Sequence, residues 1–129
     1  MTLVLDASAA LELVLATERG RRVADRLVGE DLLAPELLDA ECLSALARLE
    51  RAGAVTPADG DAAVRALLTL PLTRVSHLVL AGAAWGSRHQ ARTADGFYAA
   101  CARWVGAPLL TCDRRLAAAN VQDLAVLLV

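Results

Sequence analysis

The stretch TLVLDASAALELVL, residues 2–15, decides the fold of this chain. Its apolar run, residues 3–5, stops at Asp6, and the apolar residues that follow recur at helical spacing. This pattern predicts a buried strand that ends in one carboxylate, with a helix beginning directly after it. The stretch APLLTCDRRL, residues 107–116, has the same arrangement around Asp113. We therefore expect two strands to place Asp6 and Asp113 at their carboxyl ends.

The rest of the chain alternates between helical and strand-like patterns. We predict helices at about 9–16, 18–28, 36–52, 57–71, 76–90, 94–105 and 114–119, and further strands at 31–35, 72–75, 108–112 and 124–129. Thr56 and Thr93 are expected N-caps, and Gly29 and Gly53 are expected to end helices. Because strands that alternate with helices form parallel sheets, the sequence predicts one α/β domain, residues 1–129. It would contain a central parallel sheet of about five strands with helices on both faces.

Composition excludes several classes of protein. The chain has 129 residues, of which 57% are hydrophobic, and a net charge of -2. A chain of this length can bury a core without disulfides, and its apolar runs are shorter than the roughly 20 residues of a membrane span. No basic region precedes the first apolar run, so we expect no signal peptide and a cytoplasmic location. The net charge argues against nucleic-acid binding by bulk charge, although a local basic rim is compatible with it.

The cysteines and basic residues narrow the chemistry further. Cys42, Cys101 and Cys112 lie in apolar stretches without CxxC spacing, which predicts buried thiols and argues against a zinc site. All 13 basic residues are arginine, so any phosphate contact from a charged side chain would use a planar guanidinium group. Mechanisms that require lysine are excluded.

Four acidic residues are candidates for one functional site: Asp6, Glu41, Asp95 and Asp113. Each also has a structural explanation when it is taken alone. Asp6 and Asp113 suit helix N-caps, and Asp95 suits the first turn of a helix, where the macrodipole favours an anion. Glu41 lies on the edge of an apolar helical stripe, where a carboxylate is costly without a partner. A side chain that snorkels to solvent, or a salt bridge such as one with Arg48, would explain it.

Taken together, the four acids indicate a metal site. In open parallel sheets, ligands bind beyond the carboxyl ends of the strands, where Asp6 and Asp113 are expected. Glu41 and Asp95 lie on helices that could face the same crevice. Carboxylates that converge there repel one another unless they titrate or bind a cation. Oxygen ligands without histidine or cysteine favour Mg²⁺ or Mn²⁺.

Four blocks of sequence carry a resemblance to a known family. They are VLDASA at 4–9, APELLDAE at 34–41, TADGFYAA at 93–100 and LLTCDRRL at 109–116. In order and spacing, these blocks resemble PIN-domain ribonucleases, and more closely the VapC-type toxins of type II toxin–antitoxin systems. The resemblance spans nearly the whole chain and implies a Rossmann-like fold, in which the strand before Asp6 neighbours the strand before Asp113.

The resemblance also implies roles for individual residues. The catalytic and metal-binding set would be Asp6, Glu41, Asp95 and Asp113, with Mg²⁺ or Mn²⁺ as cofactor. Ser8 and Thr111 would support these acids through hydrogen bonds. Gly96 departs from the family pattern, since a better helix former is usual there, and should loosen the turn by at most about 1 kcal/mol. A further acid that often follows the last aspartate is missing, which leaves the number of metal ions open.

The activity implied by this resemblance is endonucleolytic cleavage of RNA that leaves a 5′-phosphate. Candidate RNA contacts are Arg114, Arg115, Arg88 and Arg92, although a solvated surface charge is the alternative explanation for each. The resemblance adds a VapB-type antitoxin whose C-terminal segment would cover the acidic crevice. High apolar content favours a homodimer.

Two other functions are compatible with clustered acids. A Mg²⁺-binding, receiver-like signalling domain also places acids at strand ends, but such domains need a lysine near the phosphoryl group and this chain has none. A catalytically inactive PIN-like binding module would keep the fold without the reaction. Retention of all four acids argues against that second alternative.

Overall fold

The computed structural model describes residues 1–119, 121 and 123–129. The strands are β1 (Thr2–Leu5), β2 (Asp31–Pro35), β3 (Leu72–Val75), β4 (Leu109–Thr111) and β5 (Val126–Leu128). The helices are α1 (Ala7–Val14), α2 (Glu18–Leu27), α3 (Leu37–Arg51), α4 (Pro57–Thr69), α5 (His77–Gly86), α6 (Thr93–Val105) and α7 (Arg114–Ala118). The strands form one parallel sheet in the order β3-β2-β1-β4-β5. The predicted α/β, Rossmann-like architecture with five strands is confirmed.

The strand order reverses between β1, the middle strand of the sheet, and β4 beside it. They pair in parallel, with Val4 opposite Leu109 and Leu5 opposite Leu110, and all four of these residues are fully buried. Such a reversal opens a crevice beyond the carboxyl ends of the strands, where open α/β sheets bind ligands. The fold therefore places Asp6 beside this crevice.

The helices pack in two groups around the sheet. One group forms around α1, which contacts α2, α3 and α4, whereas α6 packs on β1 and β2 and also contacts α5. The helices α1 and α2 approach closely at Gly20. A Cβ at this position would overlap the carbonyl oxygen of Glu12, so the approach requires glycine. This packing fixes α1 and α6, which begin beside the crevice.

Most of the expected helix ends are confirmed. Thr56 caps α4 by accepting a hydrogen bond from the Asp59 amide at 3.1 Å, and Gly29 and Gly53 follow α2 and α3 with φ of 76°. The prediction that Thr93 caps α6 is wrong, because the helix already includes Thr93. Its N-cap position is occupied by Arg92, which provides no side-chain cap and contacts a carboxylate within the helix instead.

Two features of α3 and α5 differ from what the local sequence suggests. The position of Asp39 on its helix suggests an ordinary solvated charge, but its two oxygens accept hydrogen bonds from Arg74 at 2.8 and 2.9 Å. This ion pair joins α3 to β3 and is only partly exposed. The helix predicted to run to Gln90 ends at Gly86, where the Ser87 hydroxyl donates back to the Ala84 carbonyl oxygen at 3.1 Å.

The remaining composition-based expectations concern thiols and membranes. Cys42, Cys101 and Cys112 are free and buried, as predicted. Burial raises the pKa of Cys42 to about 12 and the pKa values of Cys101 and Cys112 to about 11. Within the described part of the chain, no helix has the length and apolar character of a transmembrane segment.

Candidate metal centre

Asp6 lies directly after β1 and is the most enclosed of the four acids. Its Oδ1 accepts hydrogen bonds from the Ser8 hydroxyl at 2.8 Å and the Ala9 amide at 2.9 Å, and its Oδ2 accepts one from the Thr111 hydroxyl at 2.6 Å. The residue is only 4% exposed. Asp6 is therefore the N-cap of α1, as its structural explanation predicts, and it also accepts hydrogen bonds from two side-chain hydroxyls.

The two hydroxyl groups link the start of α1 to the end of β4. The Ser8 hydroxyl oxygen accepts from the Cys112 amide at 2.9 Å, and the Thr111 hydroxyl oxygen accepts from the Asp113 amide at 2.9 Å. Each hydroxyl has one proton, which it donates to Asp6, so the 3.1 Å contact between them carries no third donated bond. The backbone thus fixes both donors, and they fix the carboxylate.

The electrostatic environment of Asp6 disfavours its charged form. Burial raises its pKa, the hydrogen bonds from Thr111, Ala9 and Ser8 oppose this effect, and the negative charge of Asp113 adds to it. The net pKa shift is upward. A nearby cation would relieve both the burial penalty and the repulsion between the two carboxylates.

Asp113 follows β4 and caps α7. Its Oδ1 accepts hydrogen bonds from the backbone amides of Arg115 at 2.8 Å and Leu116 at 3.3 Å. Its Oδ2 accepts one from Nη2 of the Arg115 guanidinium at 2.9 Å. Both oxygens are therefore engaged, one by the helix backbone and the other by a charged side chain.

Asp95 lies in the first turn of α6 and is 7% exposed. Its Oδ2 accepts hydrogen bonds from Nη1 of Arg115 at 3.0 Å and from Nε of Arg92 at 3.2 Å. One guanidinium group, that of Arg115, consequently joins Asp95 to Asp113. These charge-assisted contacts explain how two carboxylates from different elements are held together.

Glu41 is half-buried on α3, and its partner is a neutral hydroxyl. The Tyr98 hydroxyl donates to its Oε1 at 2.8 Å. Burial, the charge of Glu41 and this hydrogen bond raise the pKa of Tyr98, so the phenol keeps its proton and remains a donor. No ion pair joins Glu41 to Arg48 among the residues described. Salt bridging by Arg48 is therefore not the explanation for this carboxylate.

The sequence did not identify Tyr98 as part of the site, although it lies in the block TADGFYAA at 93–100. It is 2% exposed, so it is a core residue, but its hydroxyl reaches a candidate metal ligand. A signal was present in the sequence: Tyr98 lies three residues after Asp95 and so shares its helix face. The charges of Glu41 and Asp6 both raise the pKa of Tyr98, which shows that all of these groups lie in one neighbourhood.

The acids do not form a closed coordination cage in this conformation. Over residues 1–119, 121 and 123–129, no group of three acidic, histidine or cysteine side chains is arranged to hold a metal ion. Asp95 and Asp113 instead contact opposite nitrogens of one guanidinium group. The donor chemistry nevertheless fits a hard divalent cation, because carboxylate and hydroxyl oxygens are the available ligands.

The four arginines proposed as RNA contacts lie in three different surroundings. Arg92 and Arg115 bind candidate metal ligands. Arg88 stacks over the Trp85 ring, with its guanidinium carbon 4.5 Å from the centroid, and donates to the Trp85 carbonyl oxygen. Arg114 is exposed beside Asp113. The structure thus leaves Arg114 in the solvated state that was the alternative explanation.

Gly96, the departure from the family pattern, has a packing function. A Cβ at this position would lie 3.0 Å from the Ser87 hydroxyl oxygen and 3.1 Å from the Ala84 carbonyl oxygen. The glycine lets α6, which carries Asp95, approach the end of α5. Glycine lowers the helix propensity at this position, but it permits close packing of α6 on α5 that the sequence did not reveal.

The fold and the acidic crevice define an α/β protein with carboxylates at the switch point of a parallel sheet, and comparison with known proteins gives the family. The PIN domain family model matches residues 3–122. Among the most similar relatives is ribonuclease VapC3 of Mycobacterium tuberculosis, which is 44% identical over 90% of this chain and 85% of the relative. Ribonuclease VapC12 of the same species is 40% identical over 89% of each chain. The chain belongs to the PIN-domain family and, within it, to the VapC group, which confirms the resemblance stated above.

Solved structures agree on the fold. One match is the structure of VapBC2 from Rickettsia felis bound to a DNA fragment from their promoter, with a TM-score of 0.69 at 10% identity over 98% of each chain. Another is PAE2754 from Pyrobaculum aerophilum, with a TM-score of 0.71 at 22% identity over 98% of this chain and 83% of that one. At these identities the likeness concerns the fold alone.

Proposed function

We propose that this protein is a Mg²⁺- or Mn²⁺-dependent endoribonuclease that acts as the toxin of a toxin–antitoxin pair. Family membership and the names of its relatives, ribonucleases VapC3 and VapC12, support a ribonuclease. The observation that carries the proposal is Asp6, a buried carboxylate at the switch point whose ionised form is destabilised by burial and by Asp113. Such a group indicates a site that is completed by a cation.

The candidate ligands are the four acids Asp6, Glu41, Asp95 and Asp113. When bound, a divalent cation supplies charge neutralisation at the scissile phosphate and activates the attacking water. Ser8 and Thr111 orient Asp6 through hydrogen bonds, and Tyr98 orients Glu41 in the same way. Outer hydrogen bonds of this kind fix the direction of ligand lone pairs.

The remaining steps fall to side chains at the rim of the crevice. One of the carboxylates, or bulk water, accepts the proton of the attacking water. The expected product is a 5′-phosphate. Arg114 and Arg88 are candidates to hold the RNA backbone, whereas Arg92 and Arg115 must leave their carboxylates before they can do so.

The partners and the setting are part of the same proposal. A VapB-type antitoxin is the expected partner, supported by the likeness to the VapBC2 structure from Rickettsia felis. We expect the antitoxin to cover the acidic crevice. Exposed apolar side chains on α5 and α6 support a homodimer: Leu78 is 93%, Trp85 64% and Trp104 60% exposed. We place the protein in the cytoplasm as one domain of residues 1–129.

A cleavage assay tests the activity. The wild-type protein is mixed with structured RNA in the presence of Mn²⁺ or of EDTA, and the Asp6→Asn variant is mixed with the same RNA in Mn²⁺. The ends of the products are then analysed. We expect cleavage in Mn²⁺ only, with 5′-phosphate ends, and none with the variant. Cleavage that persists in EDTA or survives the substitution would contradict the metal mechanism.

The same assay separates the alternatives. An inactive PIN-like binding module would not cleave RNA under any of these conditions, whereas a receiver-like domain is already disfavoured by the absence of lysine. Growth arrest on expression, relieved by the product of a neighbouring gene, would distinguish a toxin from a housekeeping nuclease. A protein that cleaves RNA without arresting growth would lose the toxin assignment and keep the nuclease one.

A further inference from the structure

We propose that Arg115 is a built-in counter-cation of the metal centre, which holds Asp95 and Asp113 in the metal-free protein and is displaced when a divalent cation binds. The inference rests on the metal site of the proposed function and assigns Arg115 a role that precedes any contact with RNA. It is carried by the position of one guanidinium group between two candidate ligands.

The geometry makes Arg115 and a metal ion compete for the same oxygens. Its Nη1 lies 3.0 Å from Oδ2 of Asp95, and its Nη2 lies 2.9 Å from Oδ2 of Asp113. A cation coordinated by both of these oxygens would take the place of the guanidinium, since a ligand oxygen lies roughly 2.1 Å from Mg²⁺. The bridging guanidinium also explains why the described side chains form no ready-made group of three ligands.

The local charge balance points in the same direction. Arg92 and Arg115 are the cations paired with the acids among the described residues, and together they offset half of the formal charge of the four carboxylates. A divalent cation that displaced Arg115 would replace one positive charge with two and, together with Arg92, offset three of the four negative charges. Arg115 therefore lowers the repulsion in the absence of metal but leaves enough negative charge to attract it.

Displacement of Arg115 is inexpensive because of where the residue sits. Its side chain is 52% exposed, on the five-residue helix α7, so the released guanidinium group becomes hydrated without moving the sheet. The pair with Asp113, whose side chain is 30% exposed, contributes little in water. The side chain of Asp95 is only 10% exposed, but it keeps its contact with Arg92 when Arg115 leaves. Asp113 keeps its place after the exchange, because the amides of Arg115 and Leu116 still donate to its Oδ1.

The neighbouring residue provides a matched control. Arg114 carries the same charge on the same helix, is exposed, and forms no ion pair with the acids in the part of the chain that the structure describes. Arg115→Gln and Arg114→Gln therefore change the net charge equally, and only the first removes the bridge. A difference between them measures the bridge rather than the general electrostatic attraction for a cation.

The test is Mn²⁺ binding by isothermal titration calorimetry, together with thermal unfolding in EDTA, for the wild type and both variants. We expect Arg115→Gln to bind Mn²⁺ about 3- to 10-fold more tightly than Arg114→Gln and to unfold at a lower temperature in EDTA. Arg115→Lys, which keeps the charge but not the two-pronged bridge, should bind with intermediate affinity.

The outcomes separate this inference from the function on which it rests. If the wild type binds Mn²⁺ and Arg115→Gln binds it no more tightly than Arg114→Gln, the counter-cation role is overturned and the metal centre stands. Identical unfolding temperatures of the two variants in EDTA would also overturn it. If the wild type binds no Mn²⁺, the metal centre itself fails, and the role of Arg115 fails with it.

Discussion

The two halves of the acidic crevice are built by different chemistry. In the first, the hydroxyl-held half, Asp6 is buried and bonded to Ser8 and Thr111, whose hydroxyl oxygens are fixed by backbone amides. In the second, the arginine-held half, Asp95 and Asp113 share the guanidinium group of Arg115, which is half exposed. Neutral donors that the backbone fixes hold a carboxylate in one position, whereas an ion pair with a half-exposed arginine exchanges more readily. We infer that, within the proposed metal site, Asp6 is held rigidly whereas Asp95 and Asp113 can rearrange.

The largest effect is expected from neutralising the hydroxyl-held half. Asp6→Asn keeps the shape of the side chain and removes its charge, so RNA cleavage should fall by at least about 100-fold. Initial rates on a labelled RNA in Mn²⁺ measure the loss. Asp25→Asn, an exposed aspartate on α2, is the matched control and should retain normal rates.

Removing a donor from Asp6 should have the next largest effect. Thr111→Val replaces the buried hydroxyl with a methyl group of similar size, which leaves Oδ2 of Asp6 without its 2.6 Å partner. We expect a loss of about 1–3 kcal/mol in the free energy of unfolding and a 10- to 100-fold weaker Mn²⁺ affinity. Urea unfolding and calorimetry measure the two quantities.

The control for that substitution is Thr73→Val on β3, where the side chain is exposed. It should change neither quantity appreciably. Equal losses from Thr73→Val and Thr111→Val would show that the hydroxyl cluster does not position Asp6.

The dependence of stability on pH should reveal the raised pKa of Asp6 in the hydroxyl-held half. Because burial raises the pKa of Asp6, the native protein binds more protons than the unfolded chain between the usual aspartate pKa and the raised one. The contribution of Asp6 to the free energy of unfolding therefore falls as the pH rises through this window. In EDTA, Asp6→Asn should remove this decline and be more stable than the wild type at neutral pH, as measured by urea unfolding across pH. A less stable variant at neutral pH would contradict this account of Asp6.

A smaller effect is expected at Tyr98. Like Ser8 and Thr111 it is a neutral donor, but the carboxylate that it contacts, Glu41, is only half-buried. Tyr98→Phe removes the 2.8 Å hydrogen bond to Glu41 and keeps the ring. We expect a loss of about 1 kcal/mol in the free energy of unfolding and a Mn²⁺ affinity lower by several-fold. Unchanged Mn²⁺ affinity would show that Glu41 needs no orienting hydroxyl.

The smallest effect concerns the backbone that carries Asp95. Gly96→Ala improves helix propensity but places a Cβ 3.0 Å from the Ser87 hydroxyl oxygen, so we expect a net loss of about 1 kcal/mol. Gly82→Ala on α5 meets nothing within 4 Å and should gain up to about 1 kcal/mol. Thermal unfolding of both variants measures the contrast, and a gain at Gly96 would contradict the close packing.

Much of the fold could be predicted because local patterns agree with the tertiary structure. The end of β1 at Asp6, the cap at Thr56 and the stop at Gly53 all depend on residues within one or two turns of chain. Thr93 failed as a cap because α6 already includes it, with Arg92 at the N-cap position, and Asp39 failed as a solvated charge because it binds Arg74, 35 residues away. Such pairings depend on tertiary distances that periodicity does not encode.

The candidate site shows the same division. Sequence reasoning selected the acids and the two hydroxyl residues, and the structure places Ser8 and Thr111 against Asp6. It did not reveal that Tyr98 donates to Glu41 or that Arg115 bridges two carboxylates, because these contacts depend on side-chain directions after packing. The roles of all these residues in catalysis stay predictions.

One measurement tests the central claim most directly: anomalous diffraction from crystals of the wild-type protein soaked in Mn²⁺. We predict an anomalous peak in the crevice lined by Asp6, Asp95 and Asp113, with the guanidinium of Arg115 displaced from its present position. Crystals that show no manganese in the crevice at saturating Mn²⁺, while Arg115 still bridges Asp95 and Asp113, would contradict the account.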